Sequence, residues 1–368
     1  MKVLKKENLL EADSSVAQAA DDIDAEKVVK VDKEPDKQEL GTIWSVLNNS
    51  LRTAKGKMIL AKKTGETPKD FPNVLFIGGA GIGKTAQIKE WAKKNDVNLF
   101  TLQGASLDAA DMGGLPTIQK IDNVTRAQKV GTGILDQLNR PNSVLFLDEL
   151  NRARMDVRSA LLQLINEHIV QDFEAEGGMR FFPNFLFTVA AINPSGKAGY
   201  QTYDLDPAEK GRFRNEPVKA ENDQVLNHLV GKYQSEAETF GDEYPDYAME
   251  SLGKAQLAKA IVGNTSFQFD DDTDLEDYED NEDWNGLATS PRNLTLLLDN
   301  SDGTKDSVLK LWNKYCNSLQ ASVIKRILSN YKDIDNKANS VFKDGTQSSL
   351  LNRKSGIDAL RNKYASGN

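Results

Sequence analysis

Short apolar runs alternate with helix-period segments through much of the chain. VLFI at 74–77 reads as a buried strand, and KTAQIKEWAKK at 84–94 carries the spacing of an amphipathic helix. VNLFT at 97–101 is a second strand. SVLFLDEL at 143–150 opens as a third and is followed by a helix, VRSALLQLINEHI, at 157–169. FLFTVAAI at 185–192 is a fourth. Apolar strands separated by helices predict an α/β fold, a parallel sheet covered on both faces. Its ligands belong at the carboxyl ends of the strands. Upstream, Ile43, Val46, Leu47, Leu51, Met58, Ile59 and Leu60 mark a helical stripe from Thr42 to about Lys63, which TGETPKDFP ends.

Beyond about Glu221 the strand signal fades. NDQVLNHLVGKYQ, LGKAQLAKAIVG, SPRNLTLLLDN and DSVLKLWNKYCNSLQASVIKRIL all carry helical periodicity. The pattern therefore divides the chain into a polar arm (1–38), an αβα domain (39–220), a helical domain (221–335) and a polar tail (336–368). Neither arm nor tail has the apolar content to form a core.

Charge changes this picture at one place. DDDTDLEDYEDNED at 270–283 holds ten acidic residues and no basic ones, which more than accounts for the net charge of −9 over 368 residues. The remainder is close to neutral, without the basic face of a duplex-binding protein, so nucleic acid is not the expected partner. Cys316 is the only cysteine, which excludes an internal disulfide and a thiolate metal cluster. His168 and His228 are not in metal-ligand spacing. No run approaches the roughly 18 apolar residues of a membrane span. The opening residues lack the apolar stretch of a signal peptide, and the expectation is a soluble, cytoplasmic protein.

The candidate chemistry begins where the first strand ends. Gly78-Gly79-Ala80-Gly81-Ile82-Gly83-Lys84-Thr85 fits G-x-x-x-x-G-K-[ST] between a strand and a helix. Glycines let successive backbone N–H groups turn towards phosphate oxygens, and the following helix adds its positive N-terminus. Lys84 can then reach the β- and γ-phosphates, and the Thr85 hydroxyl can ligate Mg²⁺. The third strand ends in two carboxylates, Asp148 and Glu149. Asp148 is placed to hold Mg²⁺ and Glu149 to polarise an attacking water.

LDELNRA (147–153) and the helix after it resemble the MoxR-type AAA+ ATPases, and the resemblance extends over about residues 40 to 300. LDAADMGGLP (107–116) is similar to the acidic helix ahead of that family's insert, and TIQKIDNVTRAQKV (117–130) to the insert hairpin, turning at Asp122-Asn123. VAAINPSG (189–196) resembles the sensor 1 segment, LDPAEKGRF (205–213) the segment ending in the arginine finger, and SPRNL (290–294) the start of the sensor 2 helix. The resemblance thereby implies Asn193 as the polar group orienting water and Arg212 as the finger, with Arg214 two residues away as its rival. It also implies Arg292 as a lid contact to the γ-phosphate. With it come a five-stranded core and a helical lid, with MgATP bound between them at a protomer interface. Further implications are a hexameric ring and a protein client, in some relatives a von Willebrand factor A-type protein.

Several readings stay open. The acidic run is a solvated insertion or, with Tyr278 and Trp284, a docking strip for a basic surface. Lys120, Arg126 and Lys129 face a pore or client, or belong to an ordinary soluble hairpin. EGGMRFF (176–182) suggests a second hairpin. The rivals to an ATP-driven remodeler are a nucleic-acid motor or loader and a nucleotide-gated structural ring with little turnover.

Overall fold

The computed structural model describes residues 42–66, 68–121, 124–130, 133–172, 178–194, 203–241, 243–271, 274, 277–278 and 281–332. The polar arm, the polar tail from 336, the Asp122-Asn123 turn and about half of the acidic run lie outside them. The described residues form two compact units, one of those up to Gly79 together with Lys84–Val218, the other of Ala80–Gly83 together with those from Lys219 onward.

The first unit is built on a five-stranded parallel sheet: β1 (Val74–Ile77), β2 (Asn98–Gln103), β5 (Ser143–Asp148), β8 (Phe185–Ile192) and β9 (Arg214–Pro217), in the order β2-β5-β8-β1-β9. The α/β expectation holds. Every residue of β8 is buried, as are Ser143–Leu147 in β5, so the apolar runs are strands covered on both faces. Helices α1 (Thr42–Thr64), α2 (Lys84–Lys94), α3 (Ala109–Gly113), α4 (Met155–Glu167) and α5 (Pro207–Lys210) complete the layers.

The pattern of apolar residues did not announce β9. Its sequence is RNEP, mostly solvent-facing, and it is held by the edge of β1: Arg214 N donates to Asn73 O and Val218 N to Ile77 O. An edge strand needs backbone partners more than buried side chains, so hydropathy carries little trace of it.

The helix after β5 starts and stops two residues earlier than its periodicity suggests. His168 takes the left-handed conformation (φ 55°) and its N–H donates to Leu164 O, closing α4. The imidazole is fully buried between Phe71 and Phe185, with ring centroids 3.3 and 4.0 Å away, and desolvation holds its pKa well below the usual value. Nearby, Asn73 Nδ2 donates to Ile165 O and its Oδ1 accepts from Thr188 N, tying α4 to the sheet.

Two antiparallel hairpins leave the sheet. β3 (Leu115–Ile121) pairs with β4 (Val124–Val130) from Leu115↔Val130 to Ile121↔Val124, as the insert resemblance implied. β7 (Met179–Phe181) pairs with β6 (Ile169–Gln171), so the second hairpin spans more chain than EGGMRFF.

The second unit is helical: α6 (Asn222–Phe240), α7 (Pro245–Val262), α8 (Pro291–Asp299), α9 (Lys305–Tyr315) and α10 (Ala321–Ile327). Leu229, Tyr233, Leu257, Ile261, Leu294, Leu297 and Trp312 form its core. The single helix suggested by 306–328 is two helices. Cys316 is extended, and Asn317 caps the next turn by accepting from Leu319 N. Asn317 Nδ2 donates to Asp270, whose carboxylate also accepts from Thr289 N and Gln320 Nε2. Asp270 opens the acidic run, yet it is an internal tie and not part of a solvated strip. Burial pushes its carboxyl up in spite of these bonds.

Candidate nucleotide site

At the ends of β1, β5 and β8 four predicted residues meet. Gly78 N donates to Ile192 O, anchoring the glycine loop to β8 as it leaves β1. Gly81 (φ 79°) and Gly83 (φ 93°) occupy backbone conformations that L side chains rarely adopt, so these turns require glycine. The chain then enters α2 at Lys84, only 8% exposed. Lys84 Nζ donates to Gly78 O (2.6 Å), Gly79 O (2.8 Å) and Asn193 Oδ1 (3.1 Å). Thr85 Oγ1 donates to Asp148 Oδ2 at 2.8 Å. The neighbours Lys84 and Thr85 thus reach Asn193 and Asp148, 109 and 63 residues further along the chain, in one polar cluster.

A hydroxyl and a carboxylate oxygen side by side are hard donors of the kind Mg²⁺ takes, usually one or two from protein with water and phosphate completing the shell. No group of three or more His, Cys, Asp or Glu side chains among the described residues could hold a metal. The Thr85–Asp148 pair therefore fits a phosphate-associated cation better than a protein-caged one.

Glu149 follows β5 in the left-handed region (φ 52°, ψ 43°), unusual for a non-glycine residue. Arg152 Nη1 lies 3.4 Å from its Oε2. The backbone of Gly104, just beyond β2, packs so closely that a Cβ there would sit 2.3 Å from Glu149 O. Motif reading missed Gly104, because only the fold brings those segments together. It also missed Asn151, which is 1% exposed; its Nδ2 donates to Asn193 O, and its Oδ1 is buried without a hydrogen-bond partner.

The arginines lie in other surroundings. Arg212 follows α5, where its guanidinium donates to Ala208 O and its Nε is buried without a hydrogen-bond partner among the described residues. Arg158 from α4 braces this segment: it donates to Glu209 (2.9 Å) and Asp204 O (3.2 Å), and both charged side chains are almost fully buried. Glu209 also accepts from Asp206 N, completing a capping box. Arg214 is exposed in β9 and bonded to Glu216. Arg292 is exposed in the first turn of α8, behind the Ser290 cap, within the second unit. Its N–H donates to Gly81 O at 3.1 Å, and a Cβ on Gly81 would meet Ser290 Oγ at 2.8 Å.

Residues 73–215, from the base of β1 into β9, match the ATPase family associated with various cellular activities (AAA). This stretch is similar to that family over the whole of the region that carries the glycine loop and the two carboxylates. Among curated relatives, the chain is 26% identical over 199 residues to the replication factor C small subunit of Methanothermobacter thermautotrophicus, covering 52% of this chain and 51% of that protein. It is 26% identical over 187 residues to the same subunit from Methanosphaera stadtmanae (50% and 48%). It is 25% identical over 274 residues to the chaperone protein ClpB of Malacoplasma penetrans (69% and 36%). The chain thus spans about half the length of the replication factor C subunits and a smaller share of ClpB. The matched residues contain the glycine loop, Asp148, Glu149, Asn193 and Arg212, whereas Arg292 lies beyond them. No helix among the described residues is long and apolar enough to cross a membrane.

Proposed function

We propose that this chain hydrolyses ATP with Mg²⁺, assembles as a ring and uses turnover to remodel a protein client. The observation that carries the reading is the Thr85–Asp148 hydrogen bond beside the Lys84–Asn193 contact, at the carboxyl ends of adjacent parallel strands. The backbone of Gly78–Gly83 cradles the phosphates, Lys84 sets its ammonium against the β- and γ-oxygens, and Thr85 and Asp148 hold the cation. When bound, Mg²⁺ neutralises the charge that develops on those oxygens. Glu149 orients the attacking water and accepts its proton, with Asn193 fixing the geometry. Arg212 serves the phosphates of a neighbouring protomer and Arg292 those of its own.

Similarity to a chaperone over 69% of the chain supports a protein client, as does the near-neutral charge of the sequence outside 270–283. The MoxR branch, a hexamer and a von Willebrand factor A-type partner rest on motif resemblance alone. The similarity to a replication factor favours a second reading, a loader acting on nucleic acid, which demands a salt-sensitive DNA affinity.

The deciding measurement is MgATP turnover per protomer across a dilution series, with the oligomer sized at each point. Turnover that rises and saturates as protomers associate supports a site completed by Arg212 in trans. Turnover that stays constant while the oligomer dissociates removes that arginine from the mechanism. Absence of hydrolysis in the assembled protein leaves the structural ring.

A further inference from the structure

Three of the large apolar side chains exposed among the described residues fall within eight positions at the junction of α6 and α7. Phe240 is 42% exposed, Tyr244 51% and Tyr247 62%. Their rings meet edge to face, with centroids 6.3 Å apart for Phe240–Tyr244 and 6.2 Å for Tyr244–Tyr247. Isolated exposed apolar residues need no explanation, but contiguous aromatic surface on a protein marks a contact site.

The patch is also preorganised. Glu243 N and Tyr244 N both donate to Phe240 O, Pro245 starts α7 in its favoured first position, and Ala248 N donates to Tyr244 O. Rings held on such a frame lose little freedom when they are covered.

The charge of the segment that carries the rings is of one sign. Glu243 and Asp246 are exposed on the same segment, and no lysine or arginine occurs between Ser235 and Glu250. The nearest cations along the two helices are already paired, Lys232 with Asp299 and Lys254 with Glu250, each at 2.6 Å. Aromatic faces and carboxylates both attract cations, and guanidinium groups stack on such rings. Phosphate backbones and anionic lipid surfaces are repelled by the same charge.

We infer that the Phe240–Tyr244–Tyr247 surface docks an arginine- or lysine-bearing segment of a partner protein. This surface lies outside the residues that match the AAA family and is independent of the ATPase reading. Cationic side chains stack on the rings while the flanking carboxylates set their orientation. The site is distinct from the acidic run at 270–283, which lacks three exposed rings in mutual contact among its described residues.

The test uses the full chain and three labelled peptides of equal length, alternating glycine with arginine, serine or glutamate. Binding is read by fluorescence anisotropy at low and moderate salt. The arginine peptide is expected to bind at least about tenfold more tightly than the serine peptide. The Phe240→Ser/Tyr244→Ser/Tyr247→Ser variant, which keeps every carboxylate, is expected to lose most of that advantage. Undiminished binding by this variant overturns the inference, because the attraction is then bulk charge. Equal binding of the serine peptide, or no binding of the arginine peptide, overturns it as well. Should the triple variant fail to fold, Tyr247→Ser, at the most exposed ring, gives the same comparison.

Discussion

Each unit holds a part-buried aspartate in a hydrogen-bonded cluster, and the two have different surroundings. In the helical unit, Asp270 accepts from a backbone N–H and two side-chain amides, all neutral donors held by the fold. In the first unit, Asp148 is met by the Thr85 hydroxyl, with a lysine, Asn193 and Asn151, whose Oδ1 has no partner among the described residues, in the connected polar cluster. The first arrangement is closed on itself and joins three segments. The second sets an ammonium, a hydroxyl and a carboxylate together, with the amide oxygen of Asn151 left without a hydrogen-bond partner among the described residues. Buried polarity by itself therefore does not mark a site; the character of the donors does.

The same isosteric substitution should separate the two. Asp148→Asn, or Glu149→Gln beside it, is expected to lower MgATP turnover by about 10²–10⁴-fold with the melting temperature nearly unchanged. Retention of half the wild-type rate by Glu149→Gln would remove that residue as the base. Arg158→Met tests the brace behind Arg212. It strands Glu209 in the interior and should destabilise the first unit by about 3–5 kcal/mol in chemical denaturation. A change below about 1 kcal/mol would mean that the pair adds little.

Gly104→Ala forces a Cβ onto the Glu149 backbone. We expect a loss of about 1–3 kcal/mol and a fall in kcat of at least about tenfold, with KM for ATP little changed. Unaltered kcat would show that Glu149 tolerates displacement.

Acid pH probes His168. Its pKa is lowered in the folded protein, so below about 6.5 the unfolded chain takes up a proton that the native state refuses. Its contribution should fall by up to about 1.4 kcal/mol per pH unit below that point, and His168→Phe should flatten this part of the stability curve. The smallest effect is expected at the closed tie. Asp270→Asn can keep its carbonyl towards Thr289 and Asn317 while Gln320 flips its amide, a cost of about 1 kcal/mol or less. A larger loss, with turnover falling in step, would erase the contrast between the two carboxylates.

Much of this architecture is written in local pattern. A strand covered on both faces must be apolar along its length, so VLFI and FLFTVAAI announce themselves, and a phosphate-binding turn requires glycines in series. The glycine loop, the Asp148–Glu149 pair and the helical character of the second unit follow from the chain alone. Elements that depend on partners do not. β9 is polar because it lies at an edge; α9 ends where the Asn317 side chain finds Asp270, 47 residues away. Gly104 matters only because β2 lies beside β5, and Arg158 because α4 passes under Glu209. The grouping of Phe240, Tyr244 and Tyr247 into one surface likewise needed the turn between two packed helices. Sequence determines what each segment can do through short-range sterics and periodicity. Tertiary structure alone decides which groups from distant segments come within hydrogen-bonding reach, because those contacts depend on how the elements pack.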